Sequence, residues 1–185
     1  MKFLDLSRAS ANDSAEFPAL TIATDSAIET RGLPLFLPDY ADSFDCEVLT
    51  VYRISRLGKS VGRRFASRYY DAMTLMGRLV GKNPELPPES PWLTATDFAM
   101  ALGRWTDIPQ PGTTVRIEGP QFSISQILPD CAPIDEAIEK LSRFFTLKNG
   151  DIIAPSAPLA RFPVKIDTRV TAATPQDTIL TFKIK

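Results

Sequence analysis

The chemistry open to this chain is bounded first by a missing side chain, since none of its 185 residues is histidine. That excludes a Ser-His-Asp triad, a Cys-His dyad, an HExxH zinc site and an imidazole proton shuttle, so any acid–base work falls to Asp, Glu, Lys, Tyr or Cys. Two acids are placed to act together. Asp45 and Glu47 are two residues apart in the β-branched and aromatic stretch Phe44 to Ile54, and side chains at 45, 47, 49 and 51 of an extended strand share one face. The plainer reading of Glu47 is a structural acid paired with an arginine, because one carboxylate rarely holds a hard metal ion. Cys46 and Cys131 stand far apart with no Cys or His nearby, which excludes a zinc knuckle, a CxxC pair and a disulfide framework and leaves them as buried apolar fillers. Arg53, Arg56, Lys59, Arg63, Arg64 and Arg68 could attract an anion, but their interleaving with apolar positions fits a solvated strand-turn-helix surface. Tyr69 and Tyr70 read as packing residues.

The elements that must position these residues follow from composition and periodicity. With 44% hydrophobic and 23% charged residues the chain has the makeup of an ordinary folded domain. A net charge of -1 argues against a nucleic-acid partner. No apolar run approaches the ~18 residues of a membrane span, and Phe3-Leu4 is too brief for a signal-peptide core, so the expectation is a cytoplasmic protein with no membrane partner. Residues 1–17 read as an irregular lead-in to a single domain over 18–185. Strands are expected at Ala19–Ile22, Phe44–Ile54, Ala72–Leu79, Asp151–Ala154 and Thr178–Ile184, and a short helix over Val61, Phe65 and Tyr69. A loop should span the prolines from Pro84 to Pro91. The clearest helix is Ile134–Phe145, where Ile134, Ile138, Leu141 and Phe145 form one stripe. Many strands with few helices indicate an α+β fold.

The segment Thr146-Leu147-Lys148-Asn149-Gly150-Asp151-Ile152-Ile153 resembles the "T-L-x-x-G-D-[VIL]-I" segment of the fumarylacetoacetate hydrolase family. The stretches Pro34 to Tyr40 and Arg53 to Lys59 look like the same family's central strand and following turn. The resemblance implies a mixed, rolled β-sheet core with few short helices, and a homodimer. It also implies hydrolysis, decarboxylation or tautomerisation of β-diketo or oxo-dicarboxylic acids, with Mg²⁺ or a similar ion held by three carboxylates.

Matched to that pattern, the family's Glu-x-Glu pair falls on Glu47 and Leu49, and its third acid on Arg78. An early family lysine falls on Ala23, and a second lysine and its following acid fall on Thr96 and Ala99. The turn after the Gly-Asp strand reads Ala154-Pro155-Ser156-Ala157-Pro158. Glu47 is thus the one matching ligand. Asp45 supplies a shifted Asp-x-Glu, and Arg78 facing Glu47 would replace the ion's charge. The expectation is a non-catalytic homologue with no intact catalytic set, no metal and no other cofactor, able to bind a small organic acid or a protein. Its partner would be a second copy or an intact paralogue. The alternative is a hydrolase or isomerase rebuilt around Asp45, Glu47, Arg78 and Lys59, and only there would Mg²⁺ be needed.

Overall fold

A computed structural model of the protein describes residues 1–8, 18–87 and 90–185. The strands, in chain order, are β1 (Lys2–Asp5), β2 (Thr21–Thr24), β3 (Ile28–Glu29), β4 (Ser43–Ile54), β5 (Tyr70–Lys82) and β6 (Met100–Leu102). They continue with β7 (Thr114–Gly119), β8 (Phe122–Ile127), β9 (Ile152–Ala154), β10 (Ala160–Val164), β11 (Arg169–Ala173) and β12 (Thr178–Lys183). The α-helices are α1 (Pro91–Thr94) and α2 (Ala132–Phe144).

The long antiparallel pair β4 and β5 organises the rest. Val48, Val51, Tyr52 and Ile54 suit a strand, and β4 runs in register against β5 from Ser43 opposite Lys82 to Arg53 opposite Ala72. Around them an eight-stranded sheet takes the order β2-β1-β9-β4-β5-β6-β3, with β10 pairing the first half of β4. The pairs β1/β9 and β3/β6 are parallel, so the sheet is mixed. A second, four-stranded sheet has the order β12-β11-β7-β8. Both sheets with two short helices make the expected α+β architecture, a mixed and curled β core.

Period-two alternation divides β4 between two cores. Phe44, Cys46, Val48, Tyr52 and Ile54 pack with Ile134, Ile138 and Leu141 of α2 and with the second sheet. Leu49 and Val51 face the other way, onto Phe3, Ala23, Met76, Met100 and Ile152. On the first face Phe182 of β12 lies over Gly77 of β5, where a Cβ would come within 2.4 Å of the ring. The glycine is what lets the two sheets approach.

Several expectations are corrected. Lys2–Asp5 are not a lead-in but a buried strand between β2 and β9, while residues 9–17 lie outside the described residues. Lys2 forms an ion pair with Asp151, whose carboxylate also accepts from the Lys148 N–H at 2.8 Å, so the Gly-Asp turn fastens β1 in place. The helix expected over Val61, Phe65 and Tyr69 is a 3₁₀ segment, Arg63–Arg68, and the proline-rich loop ends in α1, with Pro91 in its first turn. Cys131 packs against the main core but is not fully buried. It is half-buried at the N-terminus of α2.

Candidate functional site

Glu47 is the centre of a charged row laid across three strands. In register it sits opposite Arg78 of β5 on one side and Arg161 of β10 on the other. Arg78 Nη2 lies 2.6 Å and Nε 3.2 Å from Glu47 Oε2, and Arg161 Nη1 lies 3.4 Å from Oε1. The chain leaving β1 closes over this row. Asp5 pairs with the other end of the Arg78 guanidinium, Ser7 Oγ accepts from Arg78 Nη2 at 3.0 Å, and Arg8 Nη2 reaches Glu47 Oε2 at 3.1 Å. Asp5 Oδ1 in turn accepts the Ser7 N–H at 2.8 Å, which fixes the turn. One row along β4, Asp45 bridges Lys82 Nζ at 2.6 Å and Arg161 Nε at 2.9 Å.

These groups are deeply buried. Arg78 is 0% exposed, Asp5 0% and Glu47 2%. Taking such charges out of water costs several kcal/mol per ion, and only close, well-aligned partners offset that. Burial alone would lower the Arg78 pKa, but the facing carboxylates of Asp5 and Glu47 outweigh it and hold the guanidinium above its ordinary range. Burial likewise pushes the Asp45 carboxyl up, yet Lys82 and Arg161 together bring it below its usual value. Asp45 is therefore a weak base. Burial, with Glu47 adjacent, pushes the Cys46 thiol up, which removes it as a nucleophile.

Beyond Glu47 the same face turns apolar. Leu49 lies opposite Met76, and both pack with Ala23, Phe3 and Met100. Of the positions singled out in the sequence, the structure brings Asp45, Glu47 and Arg78 into one cluster and places Leu49 and Ala23 in the adjoining apolar patch. Thr96 is elsewhere, its hydroxyl 3.0 Å from that of Tyr40. Lys59 is not at the cluster either, so the rebuilt site that would use it is not assembled: its ammonium donates to the Arg143 carbonyl. The surrounding basic stretch is largely engaged, with Arg53 held by both oxygens of Asp71, Arg63 near Glu136, and Arg64 and Arg68 over the Phe65 ring.

Asp5, Ser7, Arg8 and Arg161 escaped the sequence reading. The apolar cluster Phe3, Leu4 and Leu6 is a weak strand signal, but Arg161 carries none, since its place depends on β10 pairing with β4. A cleft of about 260 Å³ opens beside the row, lined by Ser7, Arg8, Glu47, Pro158, Ala160 and Arg161. The donor set does not suit a hard divalent ion, because the oxygens of Asp5 and Glu47 are turned onto a guanidinium. Among the described residues no three acidic or cysteine side chains form a group that could hold a metal. As arranged, the cluster offers fixed charge and hydrogen-bond donors around a small cleft.

With this geometry in place, comparison with known proteins identifies the fold. No family model and no curated protein matches the sequence. Solved structures do. The chain superposes over all of its length on 92% of a Yersinia pestis CO92 protein assigned to the fumarylacetoacetate hydrolase family, with TM-score 0.82 and 18% identity. It covers 99% of its length against 88% of a fumarylpyruvate hydrolase from Pseudomonas aeruginosa in complex with Mn²⁺ and pyruvate, at TM-score 0.79 and 15% identity. Against 5-carboxymethyl-2-hydroxymuconate delta-isomerase from Mycobacterium smegmatis it covers 99% of its own length and 76% of the other, at TM-score 0.78 and 20% identity. The chain therefore has the fold of fumarylacetoacetate hydrolase-family hydrolases and isomerases.

Proposed function

We propose that this protein is a non-catalytic member of that fold group, in which a built-in arginine replaces the metal ion and the cleft serves binding. The observation that carries this is Arg78, wholly buried and bonded to both Asp5 and Glu47. The positions matched to a metal-binding trio then hold Glu47, Leu49 and Arg78: one acid, one hydrocarbon and one cation. A guanidinium balances the carboxylates electrostatically but cannot exchange a ligand for a substrate oxygen, which is how a metal acts as a Lewis acid. The hydrolase and isomerase activities of the similar structures would need an electrophile that this arrangement does not supply. A small organic acid or a protein segment remains as the occupant of the cleft between Arg8 and Arg161.

The reading is tested by titrating the protein with Mg²⁺ and Mn²⁺ in a calorimeter and by thermal shift, since a ligand stabilises the native state according to its affinity. No saturable heat and no shift in Tm are expected, and oxaloacetate or acylpyruvates with metal present should turn over no faster than in buffer. Saturable micromolar binding, or metal-dependent turnover abolished by Glu47→Gln, would overturn it.

A further inference from the structure

Between Ile54 and Tyr70 the chain carries five cations, Arg56, Lys59, Arg63, Arg64 and Arg68, and no acid, which leaves 16 cations against 22 acids in the rest of the molecule. The fold gathers this run on one surface. The turn at 55–58 lies along Tyr69, the residue that closes the 3₁₀ segment Arg63–Arg68. There the Ser55 N–H donates to the Tyr69 carbonyl at 2.8 Å, and a Cβ on Gly58 would come within 2.9 Å of the Tyr69 ring. Arg56 and Leu57 are thereby held beside the end of the segment that carries Arg64 and Arg68.

Few of these charges are answered by acids. Among the described residues Arg56, Arg64 and Arg68 form no ion pair, and Lys59 donates to the Arg143 carbonyl. Arg63 has Glu136 at 3.9 Å at the border with α2, both side chains about half exposed, and such a pair contributes little. Apolar groups share the surface: Leu57 is 71% exposed and Phe65 37%. The guanidinium carbons of Arg64 and Arg68 lie 4.5 and 5.1 Å from the Phe65 ring centroid, so one ring holds together two like charges that would otherwise spread apart.

We propose that this surface adsorbs to an anionic phospholipid bilayer, with Arg56, Arg64 and Arg68 among the headgroups and Leu57 and Phe65 entering the acyl boundary. A bilayer supplies both kinds of partner in one place, anions at the surface and hydrocarbon beneath. A nucleic acid fits less well. Stacking of bases would need the Phe65 ring that the two guanidiniums engage, and phosphates alone give Leu57 nothing to bury against. The acidic remainder of the molecule is repelled by the same surface, which orients the patch toward it. Among the described residues no helix is long and apolar enough to cross a membrane, and adsorption needs none. This inference does not rest on the loss of catalysis, since the surface is not part of the charged cleft.

The test is co-sedimentation of the full chain with vesicles of phosphatidylcholine alone and of phosphatidylcholine mixed with phosphatidylserine, beside binding of a labelled single-stranded oligonucleotide. Wild type should bind only the vesicles that contain phosphatidylserine, and more weakly as salt rises. Arg64→Gln and Arg68→Gln should each weaken that binding about fivefold, and Leu57→Ser by about as much. Arg169→Gln, which removes another exposed cation, on β11, should change it little. All four side chains are exposed, and far-UV circular dichroism verifies that the variants are folded. A wild type indifferent to phosphatidylserine, an Arg169→Gln variant that loses as much as Arg64→Gln, or a Leu57→Ser variant that binds vesicles like wild type would each overturn the proposal. The last result, combined with tight oligonucleotide binding, would assign the patch to a nucleic acid instead.

Discussion

At the scale of single residues, the buried trio of Asp5, Glu47 and Arg78 makes its members interdependent. Removing one partner of a buried ion pair leaves an uncompensated charge and costs roughly 3–5 kcal/mol, far more than the pair contributes over an apolar substitute. Arg78→Ala should therefore lower the unfolding free energy by about that amount, read as a shift in the urea midpoint. Arg78→Ala combined with Glu47→Gln and Asp5→Asn should recover much of the loss, because the uncompensated charges are gone. A single variant as stable as wild type would mean that water reaches the carboxylates. Part of this arrangement is legible in the sequence, since the resemblance places Glu47 and Arg78 at facing positions, as the β4/β5 register does. Asp5 is not, because it depends on β1 entering the sheet, and β1 is only four residues long.

At the scale of elements, what was legible follows the strength of the local signal. β4, β5, α2 and β12 are long and carry clear alternation or a 3.6-residue stripe, and each was found to within a few residues. β6, β7, β8, β10 and β11 went unassigned: β6 and β10 are short and pair with strands distant in sequence, so pairing rather than propensity decides them, and the β7/β8 hairpin turns at Pro120-Gln121 with no Asn-Gly or Asp-Gly signal. The contact between sheets was equally hidden, although Gly77 determines it. Gly77→Ala would press a Cβ into the Phe182 ring at 2.4 Å, and overpacking of this kind costs roughly 1–3 kcal/mol. The loss should appear as a lower urea midpoint for Gly77→Ala, partly reversed in Gly77→Ala/Phe182→Leu, where the smaller side chain yields. Additive effects in the double variant would mean that the two residues do not press on each other.

For the whole molecule, the distribution of charge predicts how stability depends on pH. With no histidine in the sequence, no imidazole titrates near neutrality, and unfolding free energy should stay level between about pH 5.5 and 8. At lower pH the depressed carboxylates take over. Asp45 is held below its ordinary 3.8 because Lys82 and Arg161 outweigh its burial, and Glu29 is held below 4.5 chiefly by the Arg31 side chain. Groups lowered in the folded state give stability that is present above their unfolded pKa and lost as the pH falls through the folded one. In that window the unfolded chain binds more protons, so unfolding free energy rises with pH. Urea midpoints measured at steps from about pH 8 to 3 should therefore trace a plateau and then a decline beginning between about pH 4.5 and 4. Asp45→Asn and Glu29→Gln should each flatten the acid limb while lowering the plateau. A decline already under way near pH 7, or none above about pH 3, would show that these carboxylates are not held by their cations in the folded protein.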